Sequence, residues 1–421
     1  MIWRLTPNAP PPAETYVYRL AILNTHPIQY FAPLYRRLAQ EADIDLTVYF
    51  CSRQGSEEYL DAGFGERIKW DTPLLDGYQH KFLNNLRSKD QVNGFWSLIN
   101  PEIISELRNN RYDALWVNGH NHATYLIAIT AAKAFGIPVL MRCETHLDLQ
   151  RSGLKRAIRK PVMRLLYNFL CEVCLPIGSL NRDFYLFHGV KENRLFTVPY
   201  TVDNHYFATA SEQYVGTSDD LRTQLGLPVD RPLILFASKL IPRKRPIDLM
   251  RAYHRLTELG IEAVLVIVGS GEEETALKKY VEQHKIAHVY FFGFRNQSEL
   301  PKFYSIADVF VFPSENEPWG LVLNEVMCAG LPVIVSRGVG AAADLVRHGE
   351  NGFIYETGDV EELSDYLFTM VTAEPQLRMQ MAQASRRIVD NWNYEQCVEG
   401  VKEALTTMRP ANYPMAEKQA A

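Results

Sequence analysis

The sequence predicts an α/β protein built from two doubly wound, Rossmann-like domains that face each other across a cleft. Three observations carry that prediction. The 421 residues exceed one ordinary core and suit two domains of about 150–200 residues each. From residue 18 onward, short apolar, β-branched runs alternate with longer amphipathic segments, the pattern of repeated β-α units feeding a mostly parallel sheet. That alternation breaks once, over 208–232, where ATASEQYVGTSDDLRTQLGLPVDRP is polar, lacks a strand run and carries turn residues.

Taken in order, residues 1–17 read as a disordered leader, because MIWRLTPNAPPPAETY sets three successive prolines where a signal peptide needs an apolar helix. The first domain, 18–207, offers strands at RLAILNT (19–25), DLTVYFC (45–51), ALWVNG (114–119), IPVLMRC (137–143) and CLPIG (174–178). Helical periodicity follows most of them, as in PLYRRLAQ (33–40) and in TYLIAITAAKAFG (124–136), which ends on Gly136. After a linker over 208–230, the second domain, 231–390, repeats the pattern with LILFASK (233–239), AVLVIVG (263–269), HVYFFGF (288–294), DVFVFPS (308–314), LPVIVS (331–336) and GFIYE (352–356). A last helix is expected over 391–408, packing back on the first domain, and a frayed tail over 409–421.

Composition narrows the function classes. With 47% hydrophobic and 22% charged residues and a net charge of −5, the chain is of the soluble globular type. The most apolar stretch, 123–141, is interrupted by Lys133, Gly136 and Pro138, so nothing reads as a membrane span and a cytoplasmic protein is expected. Charge is uneven: residues 1–200 carry about +4 and residues 201–421 about −9, which points the first half toward an anionic partner other than nucleic acid. The six cysteines (51, 143, 171, 174, 328 and 397) show no framework spacing and lie in or beside apolar runs, as reduced core thiols do. Cys171 and Cys174 match C-x-x-C, but no second pair completes a zinc site.

In open parallel sheets ligands bind beyond the carboxyl ends of the strands, so a crevice between the two domains is the expected site. The most informative segment is FVFPSENEPWGLVLNEVMCAGLPVIVS (310–336), read as strand, loop, helix from near Gly320 to Gly330, and strand. Glu317 falls in the loop and Glu325 eight residues later on the second helical turn. Carboxylates there can accept hydrogen bonds from sugar or ribose diols, while a helix start suits a diphosphate. A second segment, FASKLIPRKRPIDLM (236–250), clusters Lys239, Arg243, Lys244 and Arg245 at a strand end, more cations than a solvated loop commonly carries.

The run ENEPWGLVLNEVMCAGLPVIV resembles the E-x7-E signature of glycosyltransferase family 4, retaining GT-B enzymes that use nucleotide-sugar donors, and the resemblance extends over about residues 18 to 400. It implies that Glu317 contacts the donor sugar, that Glu325 holds the ribose hydroxyls, and that amides of Trp319, Gly320 and Leu321 face sugar and phosphate. Pro318 departs from the glycine that many members carry and removes one N–H donor. FASKLIPRKRP is similar to the family's diphosphate-binding "GRL…KG" segment, which casts Lys239 and Lys244 as its cations, with Lys in place of a bidentate Arg at 239. FFGFRNQSELPKFYSIADVFVFPS resembles the run that places Phe294 and Arg295 near the donor base. Gly338 and Gly340 serve turns or present amides to the ligand.

In the first half, NTHPIQYF offers His26, Gln29 and Tyr30 to the crevice, His26 either as a contact or as a packing group. Aligned on Pro138, the family's catalytic His position holds Glu144, next to Thr145; either Glu144, paired with Arg142, substitutes for it or His146 swings in. His120 and His122 are further crevice candidates or helix-start residues. QRSGLKRAIRKPVMRLL (150–166) carries six cations, at 151, 155, 156, 159, 160 and 164, and no acid. It reads as an anionic membrane surface contact, a solvated basic face or a substrate-phosphate clamp. VPYTVDNHYF (198–207) matches a run that positions the domain crossing. Asp43-Ile-Asp45 fits a manganese D-x-D motif in letters only, since it precedes its strand, and no metal or other cofactor is expected.

The expected function is sugar transfer with retention from a nucleotide diphosphate sugar to a hydroxyl acceptor, saccharide or lipid-linked, in polysaccharide or glycolipid synthesis. A nucleotide-sugar epimerase on the same architecture and a non-catalytic sugar-nucleotide-binding subunit are the alternatives.

Overall fold

The computed structural model describes residues 16–87, 92–149, 153–214 and 216–408. The leader up to residue 15, the tail from 409 and Arg151 lie outside the described residues. Strands run β1 (Tyr18–Asn24), β2 (Ile44–Phe50), β3 (Tyr59–Asp61), β4 (Glu66–Ile68), β5 (Gln79–Phe82), β6 (Ala114–Asn118), β7 (Val139–Arg142) and β8 (Val173–Cys174) in the first domain. The second has β9 (Leu233–Ala237), β10 (Val264–Val268), β11 (Val289–Phe291), β12 (Val309–Phe312), β13 (Val333–Ser336) and β14 (Gly352–Tyr355).

Each domain holds a six-stranded parallel sheet, ordered β5-β2-β1-β6-β7-β8 and β11-β10-β9-β12-β13-β14. Both are doubly wound. Strands such as β9 and β10 are apolar on every residue because helices cover both sheet faces. In each sheet the strand order reverses between two central neighbours, β1 and β6 in one and β9 and β12 in the other, which opens a crevice at their carboxyl ends. The six cysteines are all buried and free, Cys171 and Cys174 included.

Where the sequence suggested a strandless linker, two short helices, Asn204–Glu212 and Ser218–Gln224, carry the chain across. The chain returns through Trp392 into helix Tyr394–Thr407, which packs on the first domain: Arg37 pairs with Glu395, and Lys402 meets Asp43 at 2.8 Å. The two crossings touch. Asn204 donates to the carbonyls of Val389 and Trp392 at 3.0 Å, and the Thr201 hydroxyl also donates to Trp392. Gly400 is needed here, because a Cβ would sit 2.0 Å from the Thr197 carbonyl oxygen.

Three strands of the first domain escaped the sequence reading. β5 (QHKF) is a largely exposed edge, and β3 with β4 form a small antiparallel hairpin of mostly polar residues, so none shows an apolar run. The hairpin reaches over to the second domain, where Glu66 accepts from the Ser270 hydroxyl, and the chain after it does the same through Asp71 and Asn296. Asp43 and Asp45 sit at the amino end of β2, paired with Lys402 and Arg19, away from the crevice.

Candidate active site

A cleft of about 550 Å3 lies between the carboxyl ends of the two sheets. It gathers fourteen of the sequence-nominated residues: His26, Gln29, Tyr30, Glu144, Lys239, Arg243, Lys244, Phe294, Arg295, Glu317, Trp319, Gly320, Leu321 and Glu325. His120, His122 and Arg142 line an adjoining hollow of about 440 Å3, which shares Ile28 and Glu144 with the cleft.

The second domain builds the charged wall. After β9 the chain turns through Pro242–Lys244, which presents Arg243 and Lys244 toward the loop after β12. There the Glu317 carboxylate accepts from Lys244 Nζ, from Arg243 Nη1 at 2.9 Å and from the Ser314 hydroxyl at 3.2 Å. Lys244 and Glu317 are each only 8% exposed. Burial lowers the Lys244 pKa, and the Glu317 charge opposes that shift. Lys239 is engaged differently: its Nζ lies 2.7 Å from Asp61 of the hairpin and over the Phe64 ring. Arg245 leaves the cluster to pair with Asp248 and Glu315.

Glu325 lies in the first turn of helix Val322–Cys328, one turn earlier than the sequence suggested, because regular helix begins only after Gly320 (φ 99°) and Leu321. It is 1% exposed at the cleft floor and accepts from the Tyr304 hydroxyl at 2.5 Å. Burial pushes its pKa up to about 7, with Tyr304 and Tyr30 opposing. The Trp319 side chain is committed to the domain contact, its indole donating to Asn324 at 3.0 Å and packing on Trp392, so only its backbone is available to a ligand. Gly338 and Gly340 serve the turn: the Gly338 amide donates to Thr357 and the Gly340 amide to the Glu317 carbonyl. A Cβ on Gly340 would lie 2.2 Å from the Pro318 carbonyl oxygen.

The first domain faces this wall with β1 and β7. Glu144 opens onto the cleft, while His146 is buried, lining a small hollow with Met163 and Phe184 and lying against the backbone of Glu317. The expected Arg142–Glu144 ion pair is not formed. Arg142 instead packs among the rings of Tyr200, Phe31 and Trp116, and its charge reaches Glu144 only through space. Crowding by surrounding protein raises the Glu144 pKa, against the pull of Arg142 and a Tyr200 hydrogen bond. His26 shares a hydrogen bond with Thr25 at 2.9 Å, and burial, then the nearby His122, lowers its pKa to about 4, so it is neutral at pH 7. His122 donates through Nδ1 to the Gly94 carbonyl, 3.0 Å away, and His120 lies 3.5 Å from Arg159.

Several cleft residues went unnominated. Asp61, Phe64 and Trp70 come from the hairpin region, and Phe64 and Trp70 pack edge-on against Phe294 with centroids 4.7 and 6.3 Å apart. Tyr200, assigned only to the crossing, stacks on Phe31 and lines the cleft. Among the described residues no group of three or more His, Cys, Asp or Glu is placed to hold a metal ion.

The arrangement offers cations for a diphosphate, buried carboxylates for diols and an aromatic patch for a base, divided between two domains. Comparison with known proteins supplies the family and the fold. The family description "Glycosyl transferases group 1" matches residues 217–388. The chain is 31% identical over 315 residues to a D-inositol 3-phosphate glycosyltransferase of Thermomonospora curvata, covering 70% of this chain and 71% of that protein. It is 24% identical over 325 residues to the sulfoquinovosyl transferase SQD2 of Arabidopsis thaliana, covering 76% of this chain and 60% of the plant protein's length. Among solved structures, Anabaena HepE in complex with UDP superposes with a TM-score of 0.69 at 17% identity, over 92% of this chain and all of that one. The likeness is one of fold, GT-B.

Proposed function

The chain belongs to the group 1 glycosyl transferases, and from that premise we propose that it transfers a sugar from a nucleotide diphosphate donor to a hydroxyl acceptor with retention at the anomeric carbon. The observation that carries this reading is the buried Lys244–Glu317 pair, with Arg243 at its exposed edge, set with Glu325 in the second domain's wall of one interdomain cleft. A diphosphate entering beside Lys244 and Lys239 competes with Glu317 and Asp61 for those ammoniums, and Glu317, released from Lys244, is free to accept from sugar hydroxyls. Glu325, held at the floor by Tyr304, serves the ribose diol.

No side chain is assigned as a covalent nucleophile. Front-face departure of the diphosphate, with its own oxygen taking the acceptor proton, fits a cleft in which the cations sit on the donor side and Glu144 on the acceptor side. Such a reaction needs no metal, and activity is expected to persist in EDTA. Phe294 and Arg295 take the base, and the amides of Gly320 and Leu321 the sugar and phosphate. The acceptor, saccharide or lipid-linked, enters beside His26, Gln29 and Glu144. Helix Gly153–Leu165 carries Arg159, Lys160 and Arg164 next to exposed Val162, Leu165 and Phe169, a combination that suits peripheral contact with an anionic lipid surface. No helix among the described residues is long and apolar enough to cross a membrane.

Purified protein incubated with a panel of nucleotide sugars tests the reading. Slow donor hydrolysis or transfer is expected, lost by roughly 10²–10³ in kcat for Lys244→Ala and similarly for Glu317→Ala. Full turnover in both variants removes the assignment, and an inverted anomeric configuration in the product, read by proton coupling constants, removes retention.

A further inference from the structure

Resting on the donor-cleft reading above, we propose that the adjoining 440 Å3 hollow receives an acceptor bearing a phosphate group. Two independent features of its wall call for an anion. The first is Arg142, 2% exposed at the end of β7. Its Nη2 reaches the Pro199 carbonyl at 3.4 Å, yet its Nε and Nη1 have no hydrogen-bond partner. The faces of Tyr200, Phe31 and Trp116, 4.8, 5.2 and 5.9 Å from its guanidinium carbon, hold the group in place and offset part of its charge. They offer no oxygen to the two remaining donors, and a buried cation with idle donors is costly unless a ligand supplies acceptors.

The second is the start of helix Ala123–Ala134. At 12 residues it carries a full dipole, its N-cap residue His122 makes no side-chain cap, and no acid occupies its first turn. The His122 ring is turned to the Gly94 carbonyl instead. The helix opens onto the same hollow through Asn121 and His122, and Arg159 lines the hollow's wall.

Against these positive groups the hollow has, among the described residues, a single acid, Glu144, and that residue stands on the side shared with the donor cleft. A neutral saccharide would leave the guanidinium uncompensated. A phosphate presents several oxygens in different directions, matching the Arg142 and Arg159 guanidiniums, which reach the hollow from different elements beside the positive end of the helix dipole. A phosphorylated acceptor anchored there extends its hydroxyl past Ile28 and Glu144 toward the donor sugar. The phosphate can belong to a soluble phosphomonoester or to a lipid-linked acceptor, and the chemistry read by Arg142 is shared.

The test uses the full chain with the donor cleft saturated by UDP, so that Lys239 and Lys244 are not free to take the probe. Glycerol 3-phosphate, glycerol and inorganic phosphate are titrated by calorimetry, alongside phosphatidylcholine vesicles with and without polyprenyl phosphate. Binding of glycerol 3-phosphate or of the phosphorylated lipid, with no binding of glycerol, is expected, and the two arms identify the source. Arg142→Gln should weaken it at least tenfold. Because that buried change can cost folding, Asn121→Asp, at an exposed position by the helix start, supplies a second variant: its carboxylate should also cut phosphate affinity at least tenfold while UDP affinity stays within twofold. Equal affinity in wild type and Asn121→Asp, or glycerol binding as well as its phosphate, overturns the proposal. Failure of wild type to bind UDP or any other nucleoside diphosphate of a panel counts instead against the donor-cleft reading, and the phosphate titration still reports on the hollow through Asn121→Asp.

Discussion

Replacing Glu317 with Gln leaves Lys244 buried without its carboxylate. Both groups are about one-tenth exposed, so the loss resembles breaking a buried ion pair, about 3–5 kcal/mol. Gln keeps an acceptor for the Ser314 hydroxyl, and Arg243, 43% exposed at its side chain, is rehydrated, so the low end, about 3 kcal/mol, applies. For a domain of this size, each kcal/mol shifts Tm by about 2–4 °C, so the variant should melt about 6–12 °C lower. Two further measurements isolate the cause. Lys244→Met/Glu317→Gln, which removes both buried charges, should regain most of the loss, because the cost lies in the orphaned ammonium. UDP should narrow the gap between Glu317→Gln and wild type, since its diphosphate replaces the missing negative charge and no longer competes with a carboxylate. Scanning calorimetry with and without UDP reads all of this. A Glu317→Gln melt within 2 °C of wild type, on the same scale of about 2–4 °C per kcal/mol, or a double variant whose losses simply add, refutes the reasoning.

Other outcomes follow from the same geometry. Glu325, with a native pKa of about 7 against about 4.3 unfolded, keeps a proton that the unfolded chain has lost, so its contribution is greatest below pH 4 and is withdrawn as pH rises to 7. Glu325→Gln should therefore gain on wild type across that window, by ~4 kcal/mol at pH 8, in urea midpoints taken at several pH values; parallel profiles contradict this. Asp61→Asn frees Lys239 and should tighten UDP binding by up to about fivefold, the ~1 kcal/mol of a partly exposed pair, and weaker binding by calorimetry would show that Asp61 assists the donor instead. Gly340→Ala drives a methyl into the Pro318 carbonyl and should cost about 1–3 kcal/mol together with UDP affinity; an unchanged melting curve argues against a rigid loop.

The parts of the site legible in the sequence were those with local grammar. Glu317 and Glu325 share one loop and helix between two apolar strands, and Lys239 and Lys244 follow a third, so strand ends alone placed them in one crevice. Asp61, Phe64 and Trp70 had no such frame: their hairpin has three-residue strands of mostly polar character, and its meaning appears only when it meets the second domain. The choice between Glu144 and His146 was undecidable from spacing, because it depends on which way the chain turns after β7. An Arg142–Glu144 pair looked natural at two residues' separation. A continuing strand would keep both on one face, but β7 ends at Arg142, which packs with Leu140, Trp116 and Phe31 while Glu144 follows on the loop beyond.

The paired crossings at Thr201–Asn204 and Val389–Trp392 have a mechanical corollary. Two covalent threads laid side by side and tied by amide and hydroxyl bonds behave as one axle, so the halves can swing open about it but are poorly able to slide or twist apart. Severing one thread leaves the other, together with the terminal helix strapped to the opposite half, to hold the pieces as a single particle. A protease nick in either thread would thus show on a denaturing gel long before it altered sedimentation.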